Sequence, residues 1–342
     1  MAVSSIRGVV EAAIQRASNA TGVDFGFLMG AAKRESGGNP AANAATSSAS
    51  GLFQFIDQTW LSTLKQHGAK YGYARYADLI TQGSDGRYSV NGDGSTTEFD
   101  LASLKTIRRI RFGNDADAGS FEPVTGQLMF TMGDSGKVAF MDARSGKLVA
   151  TLPLPSHHIE ASAPDGAGNL FVAERDRDEV VRIDARTHKA TAHWSTAPCH
   201  QPTGLDYDAA TRRIFVGCRG DQPLLAVLDA DTGAVVAKLP IGRGNDGVSF
   251  DPATHRIYAS NGLDADLMVI DQSGADRYRL EQAVTTRPMA RTMALDPQRN
   301  RVYLVAAEGG VDPAMKVDTA VAPFYPNFYF DNSFTVLTYQ EN

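Results

Sequence analysis

Apolar residues recur with a helical period over the first eighty positions and with a period of two beyond them. Between Ser4 and Thr21, the residues Ile6, Val9, Val10, Ala13, Ile14 and Ala17 fall at i, i+3, i+4, i+7, i+8 and i+11, which puts them in one stripe of a helix. Gly22 predicts its stop. Asp24 is placed to cap a second helix carrying Phe25, Phe27, Leu28, Ala31 and Ala32, and Ser36-Gly37-Gly38-Asn39-Pro40 ends it. A loop of small residues, Ala41 to Ser50, follows. After Gly51-Leu52-Phe53-Gln54-Phe55-Ile56, Asp57 is expected to cap a third helix with Trp60, Leu61 and Leu64 on its inner face.

From about residue 86 apolar and polar positions alternate in short runs separated by Asp, Gly and Thr, the pattern of strands and turns. The runs repeat. A strand ends in Asp at Glu98-Phe99-Asp100, Ala139-Phe140-Met141-Asp142, Val181-Arg182-Ile183-Asp184, Ala226-Val227-Leu228-Asp229 and Met268-Val269-Ile270-Asp271, in steps of 42, 42, 45 and 42 residues. In phase with these stand Glu122-Pro123-Val124-Thr125-Gly126, Ala163-Pro164-Asp165-Gly166, Asp208-Ala209-Ala210-Thr211, Asp251-Pro252-Ala253-Thr254 and Leu295-Asp296-Pro297. Four short antiparallel strands in such a unit have the length and pattern of a β-propeller blade. A four-stranded sheet with two apolar faces is stable only between neighbours. The expected fold class is therefore α plus all-β: a small helical fragment over 1–85, then a β-propeller of about six four-stranded blades over 86–342.

The charge balance, 33 Lys+Arg against 39 Asp+Glu, gives a net charge of -6 and no drive toward polyanions, so nucleic acid is not an expected partner. No apolar run reaches the ~20 residues of a membrane span, and Met1 to Arg7 lacks the basic-then-apolar pattern of a signal peptide. Two cysteines exclude a disulfide-framework miniprotein and a four-cysteine zinc site. Cys199 and Cys218 are equidistant from a turn at Asp208 to Thr211, so they could face one another across a hairpin as a disulfide, which would favour an oxidising compartment; the alternative is two separate buried thiols.

Glu35-Ser36, followed by the loop Thr46 to Ser50 and then Gly51-Leu52-Phe53-Gln54-Phe55, resembles the Glu-Ser and Gly-Leu-Met-Gln motifs of the soluble lytic transglycosylases, lysozyme-like enzymes that cleave peptidoglycan. Gly51 stands 16 residues after Glu35, in the family's order, with Phe53 where the family often has Met. The resemblance covers roughly residues 5 to 85. It implies that Glu35 is a single catalytic general acid/base, that Ser36, Phe53 and Gln54 bind or orient the sugar, that the partner is a peptidoglycan glycan strand, that no cofactor is needed, and that the protein is periplasmic or exported. The remainder resembles the YVTN-type β-propellers of bacteria through Arg87-Tyr88-Ser89-Val90-Asn91-Gly92, its echo Arg256-Ile257-Tyr258-Ala259-Ser260-Asn261-Gly262, and the strand-Asp ends. That family shares no single activity, and it implies a protein or small-molecule ligand on one propeller face. Both resemblances are truncated. The helical part lacks the family's later helices, the first blade lacks an inner strand and the last an outer one, and the two parts meet near Gly83 to Arg87.

Glu35 falls near the C-terminal end of its helix, where the macrodipole disfavours negative charge, and apolar Phe53 could desolvate it; both effects would hold the carboxyl protonated for proton delivery to a glycosidic oxygen. The alternative is a solvated helix-end glutamate, and with it a non-catalytic propeller that binds or scaffolds, carrying a degenerate helical appendage. Ser89 to Asp100 imitates a calcium loop through Asn91, Asp93, Gly94 and Asp100, but Ser89 occupies the first position, so a blade turn is expected. His157-His158 with Glu160, and His200, have no metal-site spacing and are expected as loop histidines; no metal is implied. Lys105, Arg108, Arg109 and Arg111 fall on an expected outer strand, where basic residues blunt an edge.

Overall fold

The computed structural model describes every residue except 1, 41, 43, 45–48, 50, 72, 78–79, 83–87, 91–94, 112–114, 318, 320–323, 331 and 341–342. The Asn91, Asp93 and Gly94 of the calcium-like segment and the Gly83 to Arg87 junction lie outside the described residues. The chain forms two compact units, Met1–Asp93 and Gly94–Asn342.

In the first unit, α1 (Ala2–Thr21) stops at Gly22, whose φ of 75° is costly for any residue with a Cβ. Asp24 caps α2 (Phe25–Ser36) by accepting the Phe27 amide at 2.7 Å, and Gly37 (φ 65°) and Gly38 close its other end on the carbonyls of Lys33 and Ala32. The core is thin. Val10, Ile14 and Ala32 are buried, with Phe25, Leu28, Met29, Leu52 and Phe53 packed against them. Ala13, Ala17 and Phe27 are exposed, so each helix buries a narrower stripe than its periodicity predicts. The third helix, α3 (Asp57–His67), opens at Asp57 itself with extended Ile56 in the cap position, so Asp57 is not its cap. Trp60 is also exposed rather than inward, leaning on Phe55 with ring centroids 6.0 Å apart. A one-turn helix α4 (Ala74–Ala77) leads into the hairpin of β1 (Ile80–Gln82) and β2 (Tyr88–Val90).

The second unit begins with a two-stranded sheet, β3 (Ser95–Phe99) and β4 (Thr106–Arg111). Four antiparallel sheets of four strands follow: β5 (Ala116–Glu122), β6 (Gln127–Met132), β7 (Lys137–Asp142) and β8 (Leu148–Pro153); β9 (Ile159–Pro164), β10 (Asn169–Glu174), β11 (Glu179–Asp184) and β12 (Lys189–Ser195); β13 (Pro202–Asp208), β14 (Arg213–Cys218), β15 (Leu224–Asp229) and β16 (Val235–Pro240); and β17 (Asn245–Asp251), β18 (Arg256–Asn261), β19 (Asp266–Gly274) and β20 (Arg277–Thr285). A fifth sheet holds β21 (Met293–Asp296), β22 (Arg301–Ala306) and, after the small hairpin β23 (Gly309–Gly310) and β24 (Phe328–Tyr329), β25 (Thr335–Gln340).

This is a β-propeller architecture of five blades, where about six four-stranded ones were expected; the fifth has three strands among the described residues. The repeat count treats Glu98-Phe99-Asp100 as a blade of its own. Tyr88–Val90 is expected in that blade, which already lacks an inner strand, but the segment pairs with Ile80–Gln82 instead, leaving β3 and β4 as a two-stranded remnant.

Apolar clusters fill the spaces between successive blades. Met129, Val138 and Phe140 meet Leu170, Val172, Val181 and Ile183, while Phe171, Ala173 and Val180, on the opposite face of that second blade, meet Ile214, Val216, Ala226 and Leu228. The repeated carboxylates hold the turns: Asp100 accepts the amide and hydroxyl of Ser103, Asp142 those of Ser145, and Asp229 those of Thr232. The innermost strands pack in the order β5, β9, β13, β17, β21, and no comparable packing joins β21 to β5 among the described residues.

Two outcomes follow for the propeller unit. Amides of β3–β4 and of β21–β25 exchange faster in hydrogen-exchange measurements than those of β9–β20, because sheets short of strands open locally at lower free energy; uniform protection would contradict this. Asp206 of β13 accepts the amides of Phe250 and Tyr207 at 2.7 and 2.8 Å, yet burial outweighs these bonds and pushes its carboxyl up to about 6. A folded pKa above the unfolded value gives stability that is full below about pH 4 and is lost as pH rises through about 6. Asp206→Asn flattens that decline in urea titrations across the interval.

Candidate functional site

The last turn of α2 and the turn after the small-residue loop come together through Ser36. Its hydroxyl lies 2.8 Å from the Leu52 carbonyl and 3.0 Å from that of Ala32, so its single proton ties α2 to the Gly51–Gln54 turn. Gly51 has φ 77° and donates its amide to Ala42 at 2.8 Å. Gln54 also adopts positive φ, 50°, and spends its side-chain amide on the carbonyls of Gly51 (2.9 Å) and Ala42 (3.1 Å). Gln54 thus laces the loop shut. Phe53 is half-buried against the cluster of Val10, Ile14 and Ala32, and Glu35 is exposed one residue before Ser36, so Phe53 does not desolvate it. Lys33 and Arg34 share that last turn with it.

Cys199 and Cys218 form a disulfide with Cα atoms 5.6 Å apart. They are not ladder partners. Cys218 at the end of β14 pairs with Pro202, and Cys199 lies before β13, held by its amide on the Thr196 carbonyl at 2.9 Å.

Of the candidate metal-ligand residues, Glu160 pairs with Arg175 at 3.1 Å and His200 with Asp178 at 2.6 Å, while His158 lies 3.9 Å from Asp134. Arg108 pairs with Glu98 on the neighbouring strand and also donates to the Ala143 carbonyl at 3.2 Å. The structure brings together a different set, Glu174, Glu179 and His193, that the sequence pattern does not single out. Glu174 and Glu179 bracket the turn between β10 and β11 and face one another in the ladder. A bulge in the β11–β12 ladder then carries His193 opposite Val181, two residues along from Glu179 and so on the same face.

Comparison with known proteins bears on each unit separately. Residues 12–78 match the family model of the transglycosylase SLT domain. No match to the chain was found among curated proteins. Solved structures similar to it include the β-propeller domain of Myceliophteria thermophila Cps50 (Swd1), at 15% identity and a TM-score of 0.54 over 66% of this chain and 77% of that one. Kuenenia stuttgartiensis hydrazine synthase is similar at 15% identity and a TM-score of 0.52, over 66% and 72%. A chain of a mitotic checkpoint complex is similar at 16% and 0.54, over 66% and 70%. At such identities these likenesses show the propeller fold alone. The SLT match spans α2, the Gly51–Gln54 turn and α3.

Ser36→Ala removes the tie between α2 and the turn and leaves the partly buried Leu52 carbonyl without that donor. It costs the helical unit about 1 kcal/mol, read as a lower melting temperature in helical circular dichroism.

Proposed function

We propose that the helical unit is a peptidoglycan-cleaving module of the lytic transglycosylase type, with Glu35 as its single general acid/base. The observation that supports this best is the coincidence of the SLT match with one local geometry: Glu35 ends α2 directly before the serine that fastens the helix to the Gly51–Gln54 turn. In this mechanism Glu35 protonates the glycosidic oxygen as the bond to the anomeric carbon breaks. The sugar's own 6-hydroxyl then closes on that carbon and returns its proton to Glu35, leaving an anhydro end. Glu35 is exposed in the free chain, and a glycan strand lying over it excludes water from the reacting bond. Ser36 and Gln54 act by holding the turn, and Phe53 by packing that turn onto the cluster that includes Ala32 of α2. The lysozyme-like part read at 1–85 and the propeller read at 86–342 meet within the chain, the propeller serving as a binding platform in a periplasmic or exported protein. The Cys199–Cys218 disulfide favours such an oxidising compartment.

Purified peptidoglycan incubated with the full chain releases anhydro-ended muropeptides detectable by mass spectrometry. Glu35→Gln keeps the helical circular dichroism and lowers release by at least about 100-fold, the contribution of a positioned acid/base. Equal release by parent and variant would sink the assignment of Glu35, and reducing ends in place of anhydro ends would sink the reaction type.

A further inference from the structure

We propose that the second full blade carries a divalent transition-metal site of the zinc type, built from Glu174, Glu179 and His193 on three adjacent strands. In the antiparallel ladder Glu174 of β10 stands directly opposite Glu179 of β11, an arrangement of like charges that destabilises a sheet unless a cation intervenes. His193 of β12 projects from the same face. Its Nδ1 lies 3.1 Å from Glu174 Oε2 and 3.6 Å from Glu179 Oε2. Two ligands of a tetrahedral zinc ion at ordinary bond lengths stand about 3.3 Å apart, so these separations bracket the spacing the ion requires.

A second observation concerns the carboxylate at the bottom of the cluster. Glu174 is completely buried, and its Oε1 has no hydrogen-bond partner. A buried carboxylate oxygen without a donor is costly, and a metal ion bound bidentately by Glu174 supplies the missing interaction at Oε1 as well as at Oε2. His193 and Glu179 are partly exposed, which leaves a way in for the ion and room for a water ligand. One guanidinium competes. Arg177, in the turn between β10 and β11, holds Glu179 Oε2 at 3.1 Å and reaches Glu174 Oε2 only at 3.9 Å, through Nε in both cases. It is 38% exposed, so its contacts are screened and it can swing into solvent when the ion enters. The imidazole then carries its proton on Nε2 and gives the Nδ1 lone pair to the metal.

The test uses the full chain, freed of any affinity tag and treated with chelator, titrated with zinc chloride in a calorimeter. One ion binds per chain and raises the melting temperature of the propeller unit, because only the folded blade presents the three ligands together. His193→Ala and Glu179→Gln weaken binding at least about tenfold, and Glu179→Gln, at a partly exposed position, keeps the parent's chelator-treated melting temperature, whereas His193→Ala lowers it by taking a hydrogen-bond partner from buried Glu174. Arg177→Ala tightens it severalfold by removing the competing cation. Cobalt(II) in place of zinc gives the visible absorption of a low-symmetry nitrogen–oxygen site, lost in His193→Ala. Zinc binding that is absent from the parent, unchanged in His193→Ala and Glu179→Gln, or not tightened by Arg177→Ala overturns the proposal.

Discussion

Each blade sheet of the second unit is apolar on both faces, and the need to cover both faces governs the rest of that unit. In the second blade, Leu170 and Val172 point one way into the cluster shared with the first, whereas Phe171 and Ala173 point the other way into the cluster shared with the third. No single sheet of this kind is stable in water, so each blade is held by its neighbours rather than by itself. The same requirement explains the two-stranded remnant at the start. Thr96, Glu98 and Ile110 of β3 and β4 line a shared cavity with Leu128, Phe130 and Met141 of the first full blade, so the remnant stands over a face that would otherwise be open to water.

Tight stacking leaves little room for variation where a blade reverses direction. Carboxylates therefore recur at the same places, each accepting backbone amides that a turn would leave unpaired: Asp165 takes those of Ala167 and Asn169, Asp208 that of Ala210, and Asp251 that of Ala253. Glu122 does the same for Val124 and Thr125 with one more methylene. The turn-bound Asp100, Asp142 and Asp184 sit below the ordinary carboxylate range because these bonds favour the charged form.

The helical unit depends on far less buried surface, and its candidate chemistry is correspondingly local. Its apolar cluster rests on three fully packed side chains, and the position of Glu35 is set by two capping glycines on one side and by the Ser36 hydroxyl on the other. Gln54 is as much a clasp for its own loop as a group available to a sugar, since both hydrogen bonds of its side-chain nitrogen run to carbonyls of that loop. Exposed Phe27, Phe55 and Trp60 show how much apolar surface three short helices leave uncovered.

Much of this was legible in one dimension. Helix ends at Gly22 and Gly37, the cap at Asp24 and the turn carboxylates are decided by a few neighbouring residues, and the blade length is a period that stands in the sequence itself. The motif around Glu35 and Gln54 was likewise visible, because its spacing alone distinguishes it. What the tertiary structure decided was pairing. Tyr88–Val90 has the composition of a blade strand but takes Ile80–Gln82 as its partner, and that choice removes a blade from the count. His193 shows the reason most clearly. Side chains alternate faces with period two, so an unbroken β11–β12 ladder would send His193 to the face away from Glu179, and one extra residue in the bulge after Arg182 brings it back. A local pattern fixes where a strand begins and ends, whereas register, and with it which side chains meet, belongs to the packed sheet.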